Sequence, residues 1–247
     1  SREGAPVRLE VTRAAIAERG WLKYAKARPS EATARPAPSL AETLAGEIVR
    51  RFPAGLWEDV WADAWAGEVA FACGSLLFSV TPAMTLVDVD GATDPATLAR
   101  EAVLPLARAI RRFDLGGAIG VDCPSLARKE DRRAVDTALE EALGDWPHER
   151  TAMNGFGFVQ LVARLERPSL LHRLTLSRAG AAARMLLRRA EQVAEPGALL
   201  LTAHPNVVSL LAENWLAELT RRTGRDVRLA ADPGLALGGG FAQAVAR

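Results

Sequence analysis

Hydrophobic and polar positions first alternate over residues 5–12, where Val7, Leu9 and Val11 are set against Arg8, Glu10 and Thr12. A period of two predicts a short half-buried strand. Residues 17–39 break the pattern with charges, small side chains and Pro29, Pro36 and Pro38, which predicts a linker or surface excursion. Over 39–51 the period lengthens. Ser39 can cap a helix whose Leu40, Leu44 and Ile48 form one apolar stripe. A second helix is predicted over 55–66, with Trp57, Trp61 and Trp65 on one face. Such a ladder could stack on unpaired bases, but aromatic rings at helical spacing serve more often as packing anchors. Residues 68–80 predict two strands around a turn at Cys73-Gly74-Ser75.

From Met84 the grammar changes to strand, helix, strand. An apolar run ends in Asp88-Val89-Asp90-Gly91, and Asp94-Pro95 then starts a helix toward Arg112, with Pro105 predicting a kink or break near Leu104. A buried strand over 118–122 ends on Asp122. A helix over 127–143 and a strand over 156–165 follow. That order predicts parallel strands joined by a right-handed crossover. After Ser177, a helix (179–194), a strand (198–202), a helix (205–222) and a strand (226–231) predict a separate small α/β unit. The division is therefore 1–38 as strand and linker, 39–177 as the main α/β domain, a mixed sheet with flanking helices, and 178–247 as the small domain.

In parallel neighbours, carboxyl-end side chains converge on one rim, where open α/β sheets commonly bind ligands. Asp88 and Asp122 stand at two such ends, with Asp90 on the same face as Asp88 if the strand persists. Two or three carboxylates brought together without a cation repel one another, so the arrangement suits a hard divalent ion, Mg²⁺ above all. Other chemistries have weaker support. His148, His172 and His204 are scattered, Cys73 and Cys123 form no ligand-spaced cluster, and no G-x-S-x-G elbow is present. Cys123 is expected to be a small buried thiol, and no structural zinc is expected. Gly238-Gly239-Gly240 precedes no helix and is expected to be a turn. The net charge of +1 gives no general basic excess, which leaves phosphate contacts to local patches such as Arg111-Arg112 and Lys129 with Arg133. No run is long enough to span a bilayer and no signal-peptide core is present, which predicts a cytoplasmic protein without membrane contact.

Four ordered blocks carry a resemblance to a known family. The run from Phe78 through Thr81, Ala83, Asp88 and Asp90 resembles the T-x-A-L-x-x-I-D-x-N segment of the ribonuclease E/G family. Arg111-Arg112-Phe113-Asp114-Leu115-Gly116-Gly117-Ala118-Ile119-Gly120-Val121-Asp122 resembles its R-x-x-D-L-G-G-x-I-x-x-D block. Lys129 to Val135 is similar to the helix that follows. Phe156-Gly157 with Arg167-Pro168-Ser169-Leu170 is similar to the next strand and its close. The match covers residues 68–170 well and the two ends more faintly.

The resemblance implies a deoxyribonuclease I-like catalytic domain that holds one Mg²⁺, or Mn²⁺, on Asp88 and Asp122 and cleaves single-stranded RNA endonucleolytically. The family grips RNA with modules not seen here, so the chain's own basic patches, Arg111, Arg112, Lys129 and Arg133, are expected to contact the RNA instead. Asp90 stands where the family usually has Asn to orient the reacting groups, and Ser125 stands where a further acid is common. The family's zinc link, C-P-x-C, should follow Leu170, but the chain reads Leu171-His172-Arg173-Leu174-Thr175-Leu176-Ser177. A homodimer without zinc is therefore expected, with Trp215 a candidate interface anchor. The stretch before Trp57 is too short for the family's complete 5′-monophosphate sensor, and an upstream OB-fold barrel is missing, which describes a compact, diverged member. The competing expectation is an RNA-binding or assembly protein that keeps the fold without turnover. A small-molecule phosphohydrolase is disfavoured by the lack of a Gly-rich phosphate cradle.

Overall fold

The structure, a computed structural model, describes residues 4–18, 21–39, 42, 46–47, 49 and 53–246. The chain divides into two compact units, one through His172 and one from Arg173 onward. At the start, β1 (Leu9–Arg13) pairs antiparallel with β4 (Lys26–Pro29), and β2 (Ile16–Glu18) with β3 (Trp21–Lys23). Strands thus occupy 21–23 and 26–29, inside the stretch expected to be a linker or surface excursion. All four residues of β4 are exposed, so it lacks the alternation that reveals a half-buried strand. Its pairing with β1 is marked instead by a 2.8 Å ion pair between Arg28 and Glu10. The helix expected over 39–51 lies mostly outside the described residues.

The first unit is built on a six-stranded mixed sheet in the order β5-β6-β7-β8-β10-β9. Its strands are β5 (Glu68–Phe71), β6 (Gly74–Val80), β7 (Thr85–Gly91), β8 (Gly117–Asp122), β9 (His148–Arg150) and β10 (Phe158–Ala163). α1 (Leu56–Ala66) precedes β5. Trp61 is buried and its ring stacks on Trp65 at 4.6 Å, which assigns these indoles to packing rather than to an open stacking ladder. In β7 the even alternation buries Thr85, Val87 and Val89 and leaves Leu86, Asp88 and Asp90 exposed. The crossover to β8 runs through α2 (Pro95–Glu101) and α3 (Val103–Arg112). Asp94 caps α2 by accepting from Thr97 N at 3.0 Å, and hydrogen bonds from Thr97 hold its carboxyl below the usual range. The break falls at Ala102, ahead of Pro105. Proline lacks the N–H that would continue α2, whereas the first turn of α3 does not require it.

α3 and α4 (Lys129–Leu143) cover one sheet face, burying Leu106, Ile110, Val135, Leu139 and Leu143 against Leu76, Val87, Ile119, Val121 and Leu161. Phe113 meets Phe78 edge-on at 5.3 Å. β9, absent from the sequence expectation, is tied to α4 by Arg150, which pairs with Asp136 at 3.0 Å. The same carboxylate accepts from Met153 N. The opposite face carries Leu77, Leu86 and Val162, all exposed, together with the acids.

After α5 (Leu170–Leu176), the second unit contains α6 (Arg178–Glu191), β11 (Ala198–Ala203), α7 (Pro205–Val208), α8 (Glu213–Thr223), β12 (Val227–Ala231) and β13 (Phe241–Val245). Its three-stranded sheet runs β12-β11-β13, with β11 and β12 parallel. The single helix expected over 205–222 is two, with Ala212 in extended backbone (ψ 144°) ahead of α8. The glycine triplet forms a short 3₁₀ turn rather than a phosphate cradle, and Arg189 donates to Gly240 O at 2.6 Å. Arg184 lies 4.9 Å over the Trp215 ring, so this indole already has a cation on its face. Among the described residues no helix is long and apolar enough to cross a membrane.

Leu76 is fully buried in β6. Leu76→Ala is expected to cost about 2–5 kcal/mol in urea unfolding, with the slope unchanged.

Candidate metal centre

β7 and β8 lie side by side, and Asp88 is the register partner of Asp122. Opposed positions on neighbouring strands project from one face, and the two backbones are about 4.8 Å apart. The row continues on both sides. Leu77 of β6 faces Asp88, and Phe158 of β10 faces Asp122, giving Leu77–Asp88–Asp122–Phe158 across four strands. Both carboxylates are exposed, and among the described residues neither forms an ion pair with a basic side chain. Like charges set directly opposite in a sheet destabilise it, and a divalent cation shared between them reverses the sign of that interaction. Two carboxylates also match the small protein share of a Mg²⁺ coordination sphere, the remainder being water or phosphate oxygen.

The floor beside the acids depends on a missing side chain. A Cβ on Gly120 would lie 2.6 Å from the Phe158 ring and 3.0 Å from Met84 Sδ, so both side chains rest over bare backbone there. The rim is built from two interlocked loops. Cys123 N donates to Gly157 O at 3.2 Å, and Ser125 Oγ donates to Phe156 O at 3.1 Å. Asn154 holds the second loop closed: its side-chain oxygen accepts from Phe156 N and Phe158 N at 2.9 and 3.1 Å. Gly157, at φ +89°, occupies the left-handed region, and a Cβ there would meet Cys123 O at 2.2 Å. Cys123 is buried as expected. Burial first, then the charges of Asp122 and Asp88, push its thiol up to about 12.

The other sequence candidates divide between the two ends of the sheet. Asp90 lies one row beyond the pair, opposite Ser75, and its carboxylate accepts from Gly91 N at 2.8 Å. β8 has already ended at that row. Among the described residues no three His, Cys, Asp or Glu side chains gather as a metal-holding group, so the acids form a pair rather than a trio. Lys129 and Arg133 are exposed near the start of α4, which follows Asp122 in the chain and packs on the sheet face opposite the acids. Arg111 and Arg112 are at the other end of β8, six residues away at about 3.3 Å each. Arg111 donates to Ala142 O at 3.1 Å and also to Leu143 O, closing the end of α4, and Arg112 pairs with Asp63 at 3.1 Å. Both arginines thus fasten the scaffold, at the end of β8 opposite Asp122.

Much of the R-x-x-D-L-G-G block is scaffold too. Asp114, in the left-handed region at φ 53°, pairs with Arg167, and Phe113 O accepts from Leu170 N at 2.9 Å. A recess of about 220 Å³ lies at that far end, lined by Asp114, Trp146, Arg164 and Arg167 among others, away from the acid pair. Phe158, Gly120 and Asn154 were not singled out from the sequence. The only local signal was the turn-forming run Asn154-Gly155-Phe156-Gly157. No protein-family model and no curated protein sequence matches the chain.

With its thiol near 12, Cys123 carries a thiolate fraction on the order of one in ten thousand at pH 8. Iodoacetamide at pH 8 is expected to label the partly exposed Cys73 and spare Cys123, as read by peptide mass spectrometry. Gly157→Ala is expected to lower stability by about 1–3 kcal/mol in thermal melts, since it strains the backbone and pushes the two rim loops apart.

Proposed function

We propose that the chain is a Mg²⁺-dependent endoribonuclease with a deoxyribonuclease I-like catalytic domain, hydrolysing single-stranded RNA in the cytoplasm as a zinc-free homodimer. The observation that carries the proposal is the register pairing of Asp88 with Asp122 on one exposed rim, without a basic partner among the described residues. The resemblance to the ribonuclease E/G family falls on the same two positions. Asp88 and Asp122 would hold the metal, and Mn²⁺ could replace Mg²⁺. When bound, the ion supplies charge neutralisation at the scissile phosphate and acidifies water for attack. Phe158 and Leu77 flank the acids in the same cross-strand row with apolar side chains. Lys129 and Arg133, exposed at the start of α4, would bind flanking phosphates. Asp90 stays beside the centre with its charge turned to its own backbone. Attack by water on phosphorus leaves a 5′-phosphate and does not use the 2′-hydroxyl.

A 5′-labelled single-stranded RNA is expected to be cut in Mg²⁺ and spared in EDTA. Asp88→Asn and Asp122→Asn are each expected to lower the rate by about a hundredfold or more, since even residues that only support metal ligands cost 10–100-fold. Without metal, both variants should melt no lower than wild type, because each removes one of two facing charges. Cleavage that persists in EDTA and in both variants rules the mechanism out. A protein that binds RNA in Mg²⁺ and Mn²⁺ without cutting it fits the assembly-protein reading, to which the negative Asp90 lends support.

A further inference from the structure

Phe156 is 81% exposed, more than any other large apolar side chain among the described residues. Leaving a whole phenyl ring in water forfeits the gain of burying it, yet its backbone is among the most firmly held at the rim. Asn154 Oδ1 accepts from Phe156 N, Ser125 Oγ donates to Phe156 O, and the next residue is the wedged Gly157. An exposed ring on a fixed turn has already lost the backbone entropy that binding would otherwise cost. Its position is equally specific. Phe158, the register partner of Asp122, is two residues further on, and two residues of chain reach at most about 7 Å.

We infer that Phe156 is a stacking platform for an unpaired nucleobase and positions a single-stranded RNA across the acid pair. The inference rests on the nuclease reading and adds to it a binding subsite and a substrate class, an unstacked base within about one or two nucleotides of the scissile phosphate. A flat π-face recognises any base, so the subsite favours single strands over duplex without selecting sequence. Exposed cations at Lys129 and Arg133 serve the backbone of the same strand, leaving the base free to reach the ring.

The test combines binding with turnover. Anisotropy of a fluorescein-labelled ten-nucleotide single-stranded RNA, measured in Ca²⁺, is expected to show Phe156→Ala weakening Kd by about 5- to 100-fold. Phe156→Leu should weaken it similarly, because it keeps apolar bulk and loses the π-face, whereas Phe156→Trp should retain affinity. All three should melt like wild type, since the side chain is exposed. In Mg²⁺, Phe156→Ala should raise KM with kcat largely kept. An abasic nucleotide placed successively along the RNA should raise the wild-type KM at one position and leave Phe156→Ala unaffected. If wild type cuts RNA and Phe156→Ala binds and cuts as well as it does, the inference fails and the nuclease reading stands. If wild type binds without cutting and Phe156→Ala loses affinity, the subsite stands and the nuclease reading fails. A wild type that binds no single-stranded RNA overturns both, and a leucine variant equal to wild type overturns stacking.

Discussion

Everything at the candidate centre depends on one electrostatic constraint: two carboxylates forced into adjacent register by the parallel pairing of β7 and β8. Their backbones cannot separate without breaking the central ladder of the sheet, and the buried faces of both strands hold that ladder against α3 and α4. The backbone spacing of the two acids is therefore fixed by the sheet. The hydrophobic side of the sheet supplies the stability, and the acids lie on the opposite, exposed side.

The parts of the fold that were legible in the sequence share one property, a face buried on one side only. β7 alternates, α4 carries Val135, Leu139 and Leu143 at helical spacing, and Asp94-Pro95 announces α2, and all three were foreseen. The parts that were missed lack such a face or depend on distant partners. β4 is exposed throughout, β9 is defined by a salt bridge to α4, and β13 forms by antiparallel pairing with β11 rather than by a pattern of its own. The acid pair was readable because strand ends and crossover length are local properties. The Phe158 slot over Gly120 was not, because an absent side chain has meaning only when its neighbour across the sheet is known.

The motif blocks divide in an instructive way. The terminal aspartate of the second block serves the candidate centre, while Arg111, Asp114 and the loop after α3 fasten α4 and the chain near Arg167 at the other end of the sheet. A contiguous motif can thus serve two ends of one strand. Sequence patterns record both uses alike, and only the direction of the strand separates them.

The interlocking of the two rim loops through Gly157 has a consequence for selectivity. Because Cys123, Ser125 and Asn154 clamp the backbone before any ligand arrives, little ordering is left for the protein to undergo on association. The conformational cost of forming a complex then falls on the incoming molecule. A flexible partner would lose more on association there than one already held in its bound shape.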